Sequence, residues 1–139
     1  MPTKTVLIFG VFDGIHDGHK AFIHEARAQG DRLIAIVARD ETVSRLKGRS
    51  VVNSEVFRIN ELLKMEDIDL VLLGDEVEGS YKSLLEVNPD VIYLGYDQEA
   101  LLNDIKKSMK KGYLPKAKII QGQPYHPEIF HSSILNKGK

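Results

Sequence analysis

The chain has no cysteine among its 139 residues. Disulfides and a thiolate nucleophile are therefore excluded, and a reducing compartment fits. An excess of charge of either sign is also missing. Nineteen Lys and Arg face 20 Asp and Glu, for a net charge of −1. No broad attraction to nucleic acid or to a membrane surface is expected from that balance. No apolar run approaches the roughly 20 residues of a membrane span. Met1-Pro2-Thr3-Lys4 lacks the long apolar region of a signal peptide. Neither the Walker pattern nor the Rossmann glycine fingerprint occurs, and there is no internal repeat, linker or low-complexity stretch. The length suits one domain, residues 1–139, with a real core and no room for a second. The expectation is a cytoplasmic domain with no nucleic-acid or membrane partner.

What is present is an alternation of short apolar runs and amphipathic stretches. Thr5 to Phe9 reads as a strand buried on both faces. Lys20 to Gln29 reads as a helix closing at Gly30, with Phe22, Ile23 and Ala26 on its buried side. Leu33 to Ala38 is a second strand, and the three segments should form a right-handed βαβ unit. Arg39 to Val52 is polar and reads as a mobile loop or short turn. Ser54 can cap a helix to about Lys64, with Val56, Ile59, Leu62 and Leu63 facing inward. Leu70 to Leu73 is a third strand, followed by a short helix capped by Ser80 and running through Val87. Val91 to Leu94 is the fourth strand, Glu99 to Lys111 a helix closed by Gly112, and Lys118 to Gln121 the last strand. Ser132-Ser133 opens a final short helix. This order predicts a three-layer, mainly parallel five-stranded α/β domain. Ligands of such sheets lie beyond the strand C-terminal ends.

One stretch concentrates the chemistry: Gly10-Val11-Phe12-Asp13-Gly14-Ile15-His16-Asp17-Gly18-His19. It sits between the first strand and the first helix, where backbone N–H groups and a helix N-terminus meet an anion. Two imidazoles at the mouth of a phosphate-sized hole suggest phosphate chemistry.

Gly10, Phe12, Asp13, His16, Gly18 and His19 resemble the GxFDxxHxGH signature of the nucleotidyltransferase superfamily that includes cytidylyltransferases and FAD synthases. The resemblance implies its Rossmann-like α/β/α fold. Val37 to Val43 with Leu46 to Arg49, Leu94 to Gln98, and Phe130 to Ser133 are similar to segments of archaeal-type FAD synthases. That likeness implies transfer of AMP from ATP to the phosphate of FMN, giving FAD and pyrophosphate, with a homodimer as an open option. Three departures stand out. Val11 replaces the common Thr or Asn, Asp17 brings negative charge to a phosphate site, and His131-Ser132-Ser133-Ile134 stands where cytidylyltransferases carry RTEGIST.

Adenylyl transfer needs no enzyme nucleophile. The protein must align two anions and stabilise charge growing on the α-phosphate and the leaving group. His16 and His19 are the expected catalytic donors, supported by the amides of Val11 and Phe12, with Gly10, Asp17 and Gly18 also expected at the nucleotide. Asp97 is expected at the ribose by resemblance, Tyr125 near the adenine, and Ser132 with Ser133 at phosphate. Lys47, Arg49 and Arg58 are candidates for the β- and γ-phosphates or for pyrophosphate. Mg²⁺ is expected to be held mainly by phosphate and water, with no protein metal site, since no third strong ligand accompanies the two histidines and Asp13.

Plainer readings remain beside these. Asp13 can serve only the turn. Lys47 and Arg49 can be a solvated loop, and Arg58 a surface residue. His24, His126 and His131 read as surface or loop residues, and Lys106, Lys107, Lys110 and Lys111 as a solvated helix face. Two other functions stay open: cytidylyl transfer from CTP to a polyol or sugar phosphate, and nucleotide binding without catalysis.

Overall fold

The computed structural model describes residues 3–48, 52–76 and 80–124, apart from the side chains of Leu46 and Lys47. Five strands, β1 (Thr5–Gly10), β2 (Arg32–Val37), β3 (Leu70–Leu73), β4 (Val91–Leu94) and β5 (Lys118–Gln121), form one sheet in the order β3-β2-β1-β4-β5. Every pairing is parallel. Among the described residues the helices are α1 (Asp17–Arg27), α2 (Asp40–Lys47), α3 (Glu55–Leu63), α4 (Lys82–Val87) and α5 (Glu99–Lys110).

Side chains alternate across a strand, and in β1 this divides the core in two. Val6 and Ile8 enter a cluster with Ile23 and Ala26 of α1 and Leu62 of α3. Leu7 points the other way, to Leu84 of α4 and to Leu102 and Ile105 of α5. Two helices therefore cover each face, as the continuous apolar character of β1 and β2 requires. The expected three-layer parallel architecture is observed.

Four local expectations need correction. Residues 40–47 are helical, not loop. Asp40 and Glu41 in the first turn suit the helix dipole, Gly48 closes the helix at φ 65°, and Val43 is buried. Only two apolar residues, Val43 and Leu46, fall in this segment, too few to give a periodicity to read. In α3, Ile59 packs against the core and Leu62 is buried, but Val56 and Leu63 are 64% and 53% exposed. The helix is rotated so that Arg58, one turn before Leu62, takes the inner stripe. Ser80 does not cap α4. Tyr81 holds the N-cap position at φ 55° without a side-chain capping bond. Asp75, just after β3, accepts the Lys82 and Ser83 amides at 2.7 and 2.9 Å, together with the Ser80 and Ser83 hydroxyls. Finally, α1 starts at Asp17, inside the signature stretch. Ser54 does cap α3, accepting from the Phe57 amide. The proposed helix at Ser132-Ser133 lies outside the described residues.

The strand order places the switch of direction between β1 and β4. From β1 the chain moves outward to β2 and β3, then returns to the other side for β4 and β5. Crevices for ligands form at such points, and the segments after β1 and β4 border this one.

Candidate active site at the β1–β4 edge

The turn after β1 is shaped by Phe12. Its backbone is left-handed, φ 54°, and its ring is buried. A non-glycine residue there costs on the order of 1–2 kcal/mol and persists only where its surroundings hold it. The ring folds back over Gly10, where a Cβ would stand 2.6 Å from it, so only glycine fits. Gly14 supplies a second positive φ, 87°.

The two histidines build the start of α1. His16 is the N-cap, and its Nδ1 accepts the Gly18 amide at 3.0 Å. The Nδ1 of His19 reaches back to accept the His16 amide at 3.2 Å. This is a capping box with imidazoles in place of the usual hydroxyl and carboxylate. An amide N–H can be accepted only by an unprotonated ring nitrogen. Both rings are thereby assigned as neutral tautomers with the proton on Nε2. They lie close, centroids 3.9 Å apart, and the Phe12 ring lies 5.7 Å from that of His19. Burial, then the neighbouring His16, lowers the His19 pKa to about 4, against an opposing pull from Asp97. Near neutral pH His19 is an uncharged donor through Nε2–H.

Asp13 faces away from this pair. Its carboxylate accepts the Val52 amide at 2.8 Å, and the Asn53 amide and side-chain nitrogen at 2.9 and 3.0 Å. Burial would raise its pKa, but these bonds and Arg58 outweigh burial and lower it. Its observed bonds are structural, although they run to the approach to α3 rather than to amides of its own turn. Asp17 gains a physical account: as the first residue of α1 it complements the positive helix end.

Arg58 lies behind the turn, its side chain fully buried. Its guanidinium donates to the Val11 carbonyl at 2.8 Å, the Asn53 carbonyl at 3.1 Å and the Asp40 carboxylate at 2.6 Å. Expected as a phosphate contact or a surface residue, it is neither exposed nor free to reach a nucleotide in this arrangement. Glu55 adds to the same knot by accepting the Asp40 amide.

Across the crevice, the loop after β4 is held by two glutamines. Gln98 accepts from the Gly95 amide at 2.8 Å and donates to the Phe9 carbonyl at 3.0 Å, stapling β4 to β1. Gln121 donates to the Gly95 and Tyr96 carbonyls. Asp97 is exposed between them, its carboxylate folded over Gly95. Gly10 through His19 and Asp97 thus share one edge. Lys47, as a side chain, and Arg49, Tyr125, Ser132 and Ser133 lie outside the described residues. Asn53, Asp40 and the staple of Gln98 carry no local signal that a sequence reading could have used. Among the described residues no three His, Asp or Glu side chains converge as metal ligands, and no helix is long and apolar enough to cross a membrane.

Comparison with known proteins points the same way. A family model described as cytidylyltransferase-like matches residues 7–134. The FAD synthase of Aciduliprofundum boonei is 38% identical over 86% of this chain and 78% of its own. That of Pyrococcus horikoshii is 42% identical over 76% of this chain and 71% of its own, and that of Thermoplasma acidophilum 33% identical over 95% and 91%. Among solved structures, a lipopolysaccharide core biosynthesis protein from Thermoplasma volcanium superposes with TM-score 0.77 at 35% identity, covering 90% of this chain and all of that one. A pantoate-beta-alanine ligase from Francisella tularensis, 16% identical with TM-score 0.59 over 86% of this chain and 59% of its own, shares the fold alone.

Proposed function

The chain belongs to the cytidylyltransferase-like family, and from that premise we propose that it is the nucleotidyltransferase that transfers the adenylyl group of ATP to FMN. An oxygen of the FMN phosphate attacks the α-phosphorus, a new P–O bond forms, the bond to the β-phosphate oxygen breaks, and pyrophosphate leaves. A phosphate monoester has its second pKa near 6, so the attacking oxygen is already ionised at neutral pH. No general base is called for.

The observation that carries this reading is the imidazole pair. Both Nδ1 atoms are committed to backbone amides, which leaves two preorganised Nε2–H donors for the oxygens where charge grows. Donors fixed before the reaction need no reorganisation in the transition state. The N-terminus of α1 and the amides of Val11 and Phe12 add fixed positive potential. We assign Asp97 to the ribose, Tyr125 to the adenine side, Ser132 and Ser133 to phosphate, and Lys47 and Arg49 to the β- and γ-phosphates. With no converging carboxylates among the described residues, Mg²⁺ would be held by triphosphate oxygens and water, where it neutralises the leaving group. The absence of cysteine suits the reducing cytoplasm in which we place the reaction. A homodimer of the single domain is part of this reading, tested by light scattering.

The test is chromatography of FMN incubated with the purified chain and Mg²⁺, with ATP or CTP in parallel. FAD formed with ATP supports the proposal. Product with CTP and a polyol phosphate instead would replace it with cytidylyl transfer, and nucleotide binding without any pyrophosphate release would replace it with a binding module.

A further inference from the structure

Arg58 is the only buried arginine or lysine among the described residues, and the place of its bonds suggests a role. One of its partners, the Val11 carbonyl, belongs to the peptide whose other end is the Phe12 N–H. Such a peptide is planar and trans, so its N–H points opposite to its carbonyl. Gripping the carbonyl from the α3 side therefore aims the Phe12 amide to the other side. That amide has no hydrogen-bond partner among the described residues. Phe12 is also the left-handed residue of the turn, a conformation that lasts only where neighbours impose it. The guanidinium is itself fixed on two further sides, by the Asn53 carbonyl and the Asp40 carboxylate. Asp13 ties the same turn to Val52 and Asn53.

We propose that Arg58 is a positioning residue: through the Val11 carbonyl it sets the plane of the 11–12 peptide and aims the Phe12 N–H at the phosphate undergoing transfer. This rests on the adenylyl-transfer reading for its chemistry, and on the clamp alone for its geometry. A buried cation bonded to the carbonyl also polarises the peptide, so the Phe12 N–H becomes a stronger donor. Arg58 touches no substrate. Lysine cannot replace it, because a point ammonium cannot direct three bonds from one plane.

The test uses Arg58→Lys and, should that variant fail to fold, Asp40→Asn, which loosens the guanidinium from the outside. Two readouts are taken on the whole chain. The first is the amide ¹H–¹⁵N spectrum without substrate, where the Phe12 resonance should move while those of Ile92 and Ile105, on the opposite face of the sheet, stay in place. The second is steady-state FAD formation, where kcat should fall by up to about 100-fold, as misplacement of about 1 Å can cause, with the KM values for ATP and FMN changed by less than about threefold. An unmoved Phe12 resonance overturns the proposal. So does a raised ATP KM with kcat intact, which would make Arg58 a direct phosphate contact, or an unchanged kcat per folded molecule, which would make it structural only. Should the wild-type chain make no FAD, the adenylyl-transfer reading fails, and the Phe12 resonance alone decides the clamp.

Discussion

The two segments that border the crevice are held in opposite ways. The turn after β1 contains a residue in left-handed backbone and is anchored from behind by charge: Asp13 on the Val52 and Asn53 amides, and buried Arg58 on the Val11 carbonyl. The loop after β4 has no positive-φ residue and is stapled by neutral amides, Gln98 to Phe9 and Gln121 to the loop carbonyls. Strain needs stiff support, and charge-assisted bonds are about twice as strong as neutral ones. The difference suits a division of labour between the two segments. In the proposed reaction the turn would present donors to a changing charge, while the loop would only have to present the Asp97 carboxylate.

The sharpest way to break that contrast is to remove a donor on the turn. His16→Ala or His19→Ala should lower turnover by about 10²- to 10³-fold, the usual loss for one preorganised donor, with the far-UV circular dichroism kept. Full activity in both variants would end the mechanism. Gln98→Leu should act more mildly. It leaves the Gly95 amide and the Phe9 carbonyl unpaired, costing about 1–3 kcal/mol in urea unfolding, and should raise the nucleotide KM more than it lowers kcat. A loss of kcat as large as that of His19→Ala would erase the distinction between the two segments.

Titration sharpens the comparison further. The folded His19 pKa, about 4, lies below its ordinary 6.5. The unfolded chain therefore binds the extra proton first, and stability should fall as pH drops from about 6.5 to about 4. An NMR titration of the His19 ring with a midpoint near 6.5 would refute its burial and its bond to the His16 amide. Asp13 has the opposite sense. Its folded pKa is depressed below 3.8, so its contribution is complete above that pH and lost as pH falls through the folded value. Asp13→Asn should flatten that acid limb of the stability profile. The smallest effect is expected on the outer face of α3. Val56→Ser should change stability by no more than about 0.5 kcal/mol, whereas Leu62→Ala on the inner face should cost about 2–5 kcal/mol.

The rotation of α3 also marks where reading the sequence stops. All five strands are legible as short runs with apolar centres; burial on both faces makes that signal continuous in β1, β2 and β4, while the edge strands β3 and β5 are only partly buried. The signature turn is legible because its residues are contiguous. On α3, apolar periodicity placed Val56 and Leu63 inside, yet the buried position belongs to an arginine. Its partners Val11 and Asp40 lie 47 and 18 residues away, and no local pattern weighs two such distant hydrogen bonds against one apolar side chain. The same holds for Asp75 at the head of α4, which displaced the expected Ser80 cap from seven residues upstream of Lys82.

By itself, then, the sequence determined the strand–helix alternation, the parallel sheet it requires, the ten-residue turn and the family to which that turn belongs. Those are consequences of local periodicity and contiguous spacing. Only the tertiary structure decided that Phe12 is left-handed, that both imidazoles carry their proton on Nε2, that Gln98 joins β4 to β1, and that Arg58 clasps the turn instead of reaching for phosphate. Each of these depends on which donor meets which acceptor once distant segments are packed, and that pairing is settled by the whole fold rather than by neighbours along the chain.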